Sequence, residues 1–112
     1  MTLNTNVKLG EKKLEFMKAA SKALQGGLGK PESYIAIAVN DGVDIIWAGE
    51  ETPCALGVVY SLGAINRENN AKVTASLTDL LAEFGVPADR IYINFFDVPR
   101  ENMGYNGKTF AG

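Results

Sequence analysis

Few side chains in this sequence can do chemistry, and the first observation about them is an absence: there is no histidine. Histidine is the commonest general base near neutral pH and the commonest zinc ligand, so Ser-His-Asp, Cys-His and His-metal mechanisms are excluded. A lone cysteine, Cys54, forbids an intrachain disulfide and agrees with a reducing compartment. It is followed by Ala55-Leu56-Gly57 rather than by a second thiol at redox spacing, so it reads as a small buried apolar residue. What remains is 11 Lys and Arg, 13 Asp and Glu and four tyrosines, and no spacing among them singles out a site, whether at Lys30, between Gly29 and Pro31, or at Tyr92 and Asn94. To these is added the amine of the first residue, Met1 or Thr2 after trimming, whose ordinary pKa of about 7.7–8.0 lets it act in principle as a base. Taken alone, Lys30 is a solvated lysine after a helix, and Tyr92 and Asn94 are ordinary strand residues.

The elements that must position these groups come from a repeat. Gly29-Lys30-Pro31-Glu32-Ser33-Tyr34-Ile35-Ala36-Ile37 and Gly85-Val86-Pro87-Ala88-Asp89-Arg90-Ile91-Tyr92-Ile93 share Gly, Pro, Ile and Ile half a chain length apart. Each copy reads as a helix stop, a Gly and Pro turn, then a strand. Upstream of the first copy, Glu11 to Leu24 sets Leu14, Met17, Ala20 and Leu24 on one helical stripe. Upstream of the second, Arg67 to Phe84 sets Val73, Leu77, Leu80, Leu81 and Phe84 at the same period, with Asn66 as the cap. Strand candidates precede the helices at Thr2 to Val7 and Ala55 to Leu62. Between the halves, Asn40-Asp41-Gly42 signals a turn, and Val43 to Ala48 with Trp47 is expected to add a short strand before the Gly49 to Pro53 loop.

The expected fold is therefore α/β (α+β): a single domain over 1–112, with pseudo-repeats of about 1–56 and 57–112. A tandem β-α-β repeat places two helices on one face of a four-stranded mixed sheet. The other face is not covered by helices. In Ile91-Tyr92-Ile93-Asn94-Phe95-Phe96 neither alternate set is plainly suited to water, which implies a second copy of the chain packed there; the other reading is a wet exposed face.

Composition narrows the partners. At 46% hydrophobic and 21% charged residues the chain has the balance of a soluble globular protein. Its formal charge of −2 without a basic run excludes nucleic acid, and no apolar run reaches the roughly 20 residues of a membrane span. The N-terminus lacks the pattern of a signal peptide, so the cytoplasm is the expected compartment. No cofactor and no metal are expected.

Several strings in register resemble the macrophage migration inhibitory factor family of the tautomerase superfamily. They are Asn4-Thr5-Asn6-Val7, Gly29-Lys30-Pro31, Pro53-Cys54-Ala55-Leu56, Ser61-Leu62-Gly63, Asp89-Arg90-Ile91-Tyr92-Ile93-Asn94, and Gly104-Tyr105-Asn106-Gly107-Lys108-Thr109-Phe110. The resemblance implies a homotrimer with active sites between subunits, acting on small aromatic 2-keto acids such as phenylpyruvate and on dopachrome-type substrates. Members also serve as cytokines in animals, which adds a cell-surface receptor to the implied partners and secretion by a non-conventional route to the implied locations. By the same resemblance, Lys30, Tyr92 and Asn94 are the catalytic group, with Lys30 holding the substrate carboxylate and the other two supplied by the neighbouring subunit. Tyr34, Ser61 and Leu62 match the pocket wall, and Met103, Tyr105 and Phe110 match the apolar rim for the substrate ring, with Tyr105 in place of a tryptophan common in animal members.

The family's base is an N-terminal proline, and its position falls before Met1 here. By that register the first strand is two residues short, about 6.6 Å at about 3.3 Å per residue. A substitute amine on Met1 or Thr2 is therefore expected to stop short of the pocket. Two readings follow: a keto–enol tautomerase lineage whose base is displaced, or a catalytically weak or inactive cytokine-like binding protein that keeps the trimer and the pocket.

Overall fold

The architecture of residues 1–112, described by a computed structural model, follows from two β-α-β units joined back to back. In the first, β1 (Thr2–Thr5) runs into α1 (Lys13–Leu28) and returns as β2 (Ala38–Asn40), parallel to β1. In the second, β3 (Ala55–Ser61) runs into α2 (Arg67–Ala82) and returns as β4 (Ile91–Asp97), parallel to β3. The units meet where β1 lies antiparallel to β3, with Thr2 opposite Val58 and Thr5 opposite Ala55. The strand order is β2-β1-β3-β4, the mixed sheet expected from the repeat.

Local sequence explains the boundaries. The side chain of Asn66 accepts from the Asn69 N–H at 2.8 Å and starts α2. Gly29 ends α1 in the left-handed region at φ 69°, its N–H donating to the Gln25 carbonyl. β1 stops at Thr5 rather than Val7 because side chains replace the ladder there. Thr5 donates its hydroxyl to the Cys54 carbonyl at 2.8 Å, while Asn6 accepts from the Cys54 N–H and donates to the Thr52 carbonyl, both at 2.9 Å. Cys54 itself is buried and free.

Three expectations need correction. A 3-10 turn at Gly10–Lys12 displaces the start of α1, which then runs past Leu24 to Leu28. Its buried stripe is Phe16, Ala20, Leu24, Gly27 and Leu28, so Leu14 is exposed on the opposite side and is not core. The second helix ends at Ala82, two residues before Phe84, which instead sets its ring edge-on to Phe16 at 5.7 Å. Val43 to Ala48 forms no strand: Ala48 (φ 54°) and Gly49 (φ 73°) fold Trp47 back onto Glu50 in a tight turn, joined by two backbone hydrogen bonds of 3.0 Å.

Both helices cover one face of the sheet. Leu3 and Val59 of the sheet, with Val73, Leu77 and Leu81 of α2, are all but wholly removed from water, each such side chain being worth about 1.5–3 kcal/mol. The helices approach closely at Gly27, where a Cβ would collide with a methyl of Val73 and lie 3.3 Å from the Val73 backbone nitrogen. One position earlier, Gly26 faces open space. The pair therefore separates propensity from packing. Gly26→Ala is expected to stabilise the fold by up to about 1 kcal/mol, whereas Gly27→Ala is expected to lose about 1–3 kcal/mol by overpacking against fully buried Val73, both read from urea midpoints. Equal shifts for the two variants would contradict this packing account.

Candidate functional site

One wall of the molecule is built where the start of β1 and the segment after α1 meet the C-terminal end of β3 and a hairpin near the end of the chain. Lys30 follows the end of α1 and lies beside the loop after β3, donating from Nζ to the Leu62 carbonyl at 2.7 Å. The next turn, Glu32–Tyr34, is tied back to α1 through Glu32, which accepts from Ser21 at 2.7 Å and pairs with Lys22 at 2.5 Å. Those bonds, chiefly the one from Lys22, hold the Glu32 carboxyl below the usual carboxylate range. Ser61 is buried, its hydroxyl donating to the Gly63 carbonyl at 2.8 Å; it is a wall residue with its proton already committed.

The aromatic part of the wall rests on a turn. Asn106 (φ 54°) and Gly107 (φ 81°) both take positive φ and close a two-residue hairpin between β5 (Gly104–Tyr105) and β6 (Lys108–Thr109), the backbone demanded by an Asn-Gly turn of this kind. The hairpin and the Phe110 N–H, which donates to the Met103 carbonyl, bring the rings of Tyr105 and Phe110 into a stack at 5.5 Å and 14°.

These segments enclose a cavity of about 630 Å³, within the range typical of small-molecule sites. Lys30, Tyr34, Ser61, Leu62, Met103, Tyr105 and Phe110 all line it. So does Met1, although by the register of β1 it lies level with Val59 and two residues short of Ser61. The wall also includes Ala36, to whose carbonyl the Met1 ammonium donates at 2.6 Å. The Ala38 N–H in turn donates to the Met1 carbonyl at 2.9 Å. Burial lowers the pKa of the Met1 amine from its ordinary value of 8.0, because the charged form loses water it cannot replace.

Tyr92 and Asn94 do not join this cavity within one chain. They lie on β4 on the sheet face away from the helices, where both are exposed. Leu56, Tyr60 and Phe96 are exposed on that face too, with Tyr60 stacked on Phe96 at 5.3 Å. Tyr92 stacks on Trp47 at 4.3 Å, and the Arg90 guanidinium lies over the Trp47 ring at 5.6 Å. Two features of the site were not singled out in the sequence. Arg100, in the 3-10 turn Arg100–Asn102, lines the cavity; a lone cation between a strand and an Asn-Gly hairpin was its available signal. Arg90 donates to the carbonyls of Trp47, Glu50, Thr52 and Pro53, a role that no local pattern announces. No group of three His, Cys, Asp or Glu side chains is arranged to hold a metal ion.

A pseudo-twofold pair of β-α-β units with a cavity at the first strand's free end and a cationic and aromatic wall defines the tautomerase-fold class. The chain belongs to the macrophage migration inhibitory factor family: the family described as "Macrophage migration inhibitory factor (MIF)" matches residues 1–111. It is 42% identical to the macrophage migration inhibitory factor homologue of Trichuris trichiura, with 97% of this chain and 96% of that protein covered. The corresponding figures for the Brugia malayi homologue are 39%, 98% and 96%. Among solved structures, the homologue from Prochlorococcus marinus superposes with a TM-score of 0.91 at 32% identity, covering 97% of this chain and 96% of the other. No helix of the chain is long and apolar enough to cross a membrane.

Arg90 generates a test of its own. Its removal leaves the 47–53 loop carbonyls without their shared donor and Trp47 without its cation. Arg90→Ala is expected to speed amide exchange throughout 47–52 by about tenfold or more, while the amides of β3 keep their protection; unchanged exchange in the loop would show that the turn holds itself.

Proposed function

We propose that the protein is a keto–enol tautomerase of aryl pyruvates such as phenylpyruvate and dopachrome-type substrates, acting as a homotrimer with its sites between subunits. The observation that carries this reading is that Met1 and Lys30 line one cavity with Tyr105 and Phe110, with the Met1 amine made less basic by burial. A base near neutral pH must be largely unprotonated yet still attract a proton, and desolvation shifts an α-amine in that direction.

In the proposed reaction the substrate ring rests against Tyr105 and Phe110, and its carboxylate meets the Lys30 ammonium, which spends one donor on Leu62 and retains others. The neutral amine takes a proton from the carbon beside the carbonyl. The electron pair left behind moves to the carbonyl oxygen, which develops enolate charge and takes a proton from water to give the enol, while the ammonium formed at the base returns its proton to the resulting hydroxide. Hydrogen bonds from Tyr92 and Asn94 of a neighbouring subunit steady that oxygen, where fixed donors do most for the transition state. Tyr34, Ser61, Leu62 and Met103 shape the wall. Support for the trimer comes from the exposed sheet face: Tyr60, Tyr92 and Phe96 are between 49% and 63% exposed, an apolar surface of the kind that marks an interface.

The second reading, a cytokine-like binding protein with a cell-surface receptor and little turnover, draws on the commitment of the Met1 ammonium to the Ala36 carbonyl, which competes with its use as a base. Chemical acetylation of the terminal amine, verified by intact mass, separates the two. Tautomerase action predicts that acetylation abolishes phenylpyruvate turnover and that kcat/KM of the free protein rises with pH through an apparent pKa below the amine's ordinary 8.0. Turnover that survives acetylation would remove the amine from the mechanism, and no turnover at all in the unmodified protein would favour the binding reading. Lys30→Ala is expected to raise KM for phenylpyruvate by about 10- to 100-fold through loss of a charge-assisted contact. Light scattering is expected to give three times the 12.0 kDa mass of one chain.

A further inference from the structure

Every charged group in the cavity wall is a cation. Besides the Met1 ammonium and Lys30 the wall contains Arg100, and no Asp or Glu lines it, although acids outnumber bases 13 to 11 in the chain. Neither Lys30 nor Arg100 takes part in an ion pair; the salt bridges are Lys13–Asp41, Lys22–Glu32 and Lys72–Glu68, and none of these six side chains lines the cavity. The tautomerase reading uses one carboxylate, matched to Lys30, and leaves Arg100 without a task.

The placement of Arg100 indicates one. Its Nη2 donates to the Phe110 carbonyl at 2.8 Å, which fixes the guanidinium beside the Tyr105–Phe110 stack. A guanidinium carries five N–H donors in a plane and matches a carboxylate through two of them. One is spent on Phe110, and the others have no acceptor in the chain. Lys30, the two rings and Arg100 line the same cavity, and Arg100 is bonded to the backbone of the ring-bearing Phe110, so a ligand held by Lys30 and the rings has a second cation within the same site.

We infer that Arg100 is a specificity-determining residue for a second anionic group, so that the favoured ligand is a 2-keto acid bearing another carboxylate at the far end of its ring or chain. This rests on the reading of the cavity as the substrate site. A monoanionic aryl pyruvate leaves the Arg100 donors to water, whereas a dianion exchanges that water for a charge-assisted pair at the exposed rim of the cavity.

The test is calorimetric and uses unreactive analogues, so that binding is read apart from turnover: 3-phenylpropionate and 3-(4-carboxyphenyl)propionate, titrated into the folded oligomer at low salt. The wild-type protein is expected to bind the dicarboxylate about tenfold more tightly. Arg100→Gln is expected to bring the ratio of the two affinities close to one. Arg100→Lys, which keeps the charge and loses the fork, is expected to restore part of the ratio, a rescue that a purely structural tether to Phe110 would not produce. Lys30→Ala is expected to weaken both ligands. A wild-type ratio near one, or a ratio that Arg100→Gln leaves intact, would overturn the inference while leaving the site reading in place. Failure of both ligands to bind the wild-type protein would overturn the two together.

Discussion

The antiparallel seam between β1 and β3 is the constraint on which the rest of the structure depends. Each β-α-β unit alone would present a two-stranded parallel ribbon and one helix, too little to enclose a core. Joined at that seam, with Leu3 opposite Gly57, the two ribbons become one sheet wide enough for α1 and α2 to pack side by side. The fit is close at Gly57 as well, where a Cβ would sit 3.2 Å from a Leu3 methyl and 3.5 Å from Ile93. The register sets Thr2 opposite Val58, so that Met1 lies at the level of Val59, and both line the cavity with residues from the far half of the chain.

Electrostatics and packing divide the labour around that wall. The acidic groups that do work are outside it: Glu32 fastens the turn after Pro31 to α1, and Asp41 accepts from the Leu9 N–H at 2.8 Å and pairs with Lys13 at 2.7 Å. Inside, positive groups face aromatic and aliphatic surface with no counter-charge of the protein's own. An unpaired cation half removed from water is held at some cost, and an anion arriving from solution relieves it.

Much of the fold was legible because periodicity and punctuation agree in it. The doubled Gly and Pro turns, the alternating isoleucines after them and the 3.6-residue spacing from Val73 to Leu81 all point to one arrangement. Leu14 misled because a stripe can be drawn through it as readily as through Phe16, and only the 3-10 turn at Gly10–Lys12 decides which one faces the sheet. The run from Val43 to Ala48 misled because its β-like composition yields to two positive-φ residues and to the distant Arg90, whose bonds span 37 to 43 positions in sequence. The wall residues of the site were reached by resemblance, since an isolated Lys30 or Met103 carries no chemical signature. Arg100 escaped for a related reason: its meaning depends on the absence of acids around a cavity, which is a property of space and not of neighbours in the chain.

Met1 is at once the first rung of the sheet and a part of the cavity wall, bonded to Ala36 on one side and to Ala38 on the other. Any peptide joined ahead of it, whether a remnant of processing or a purification handle, leaves the molecule from that wall and removes the free amine in the same act.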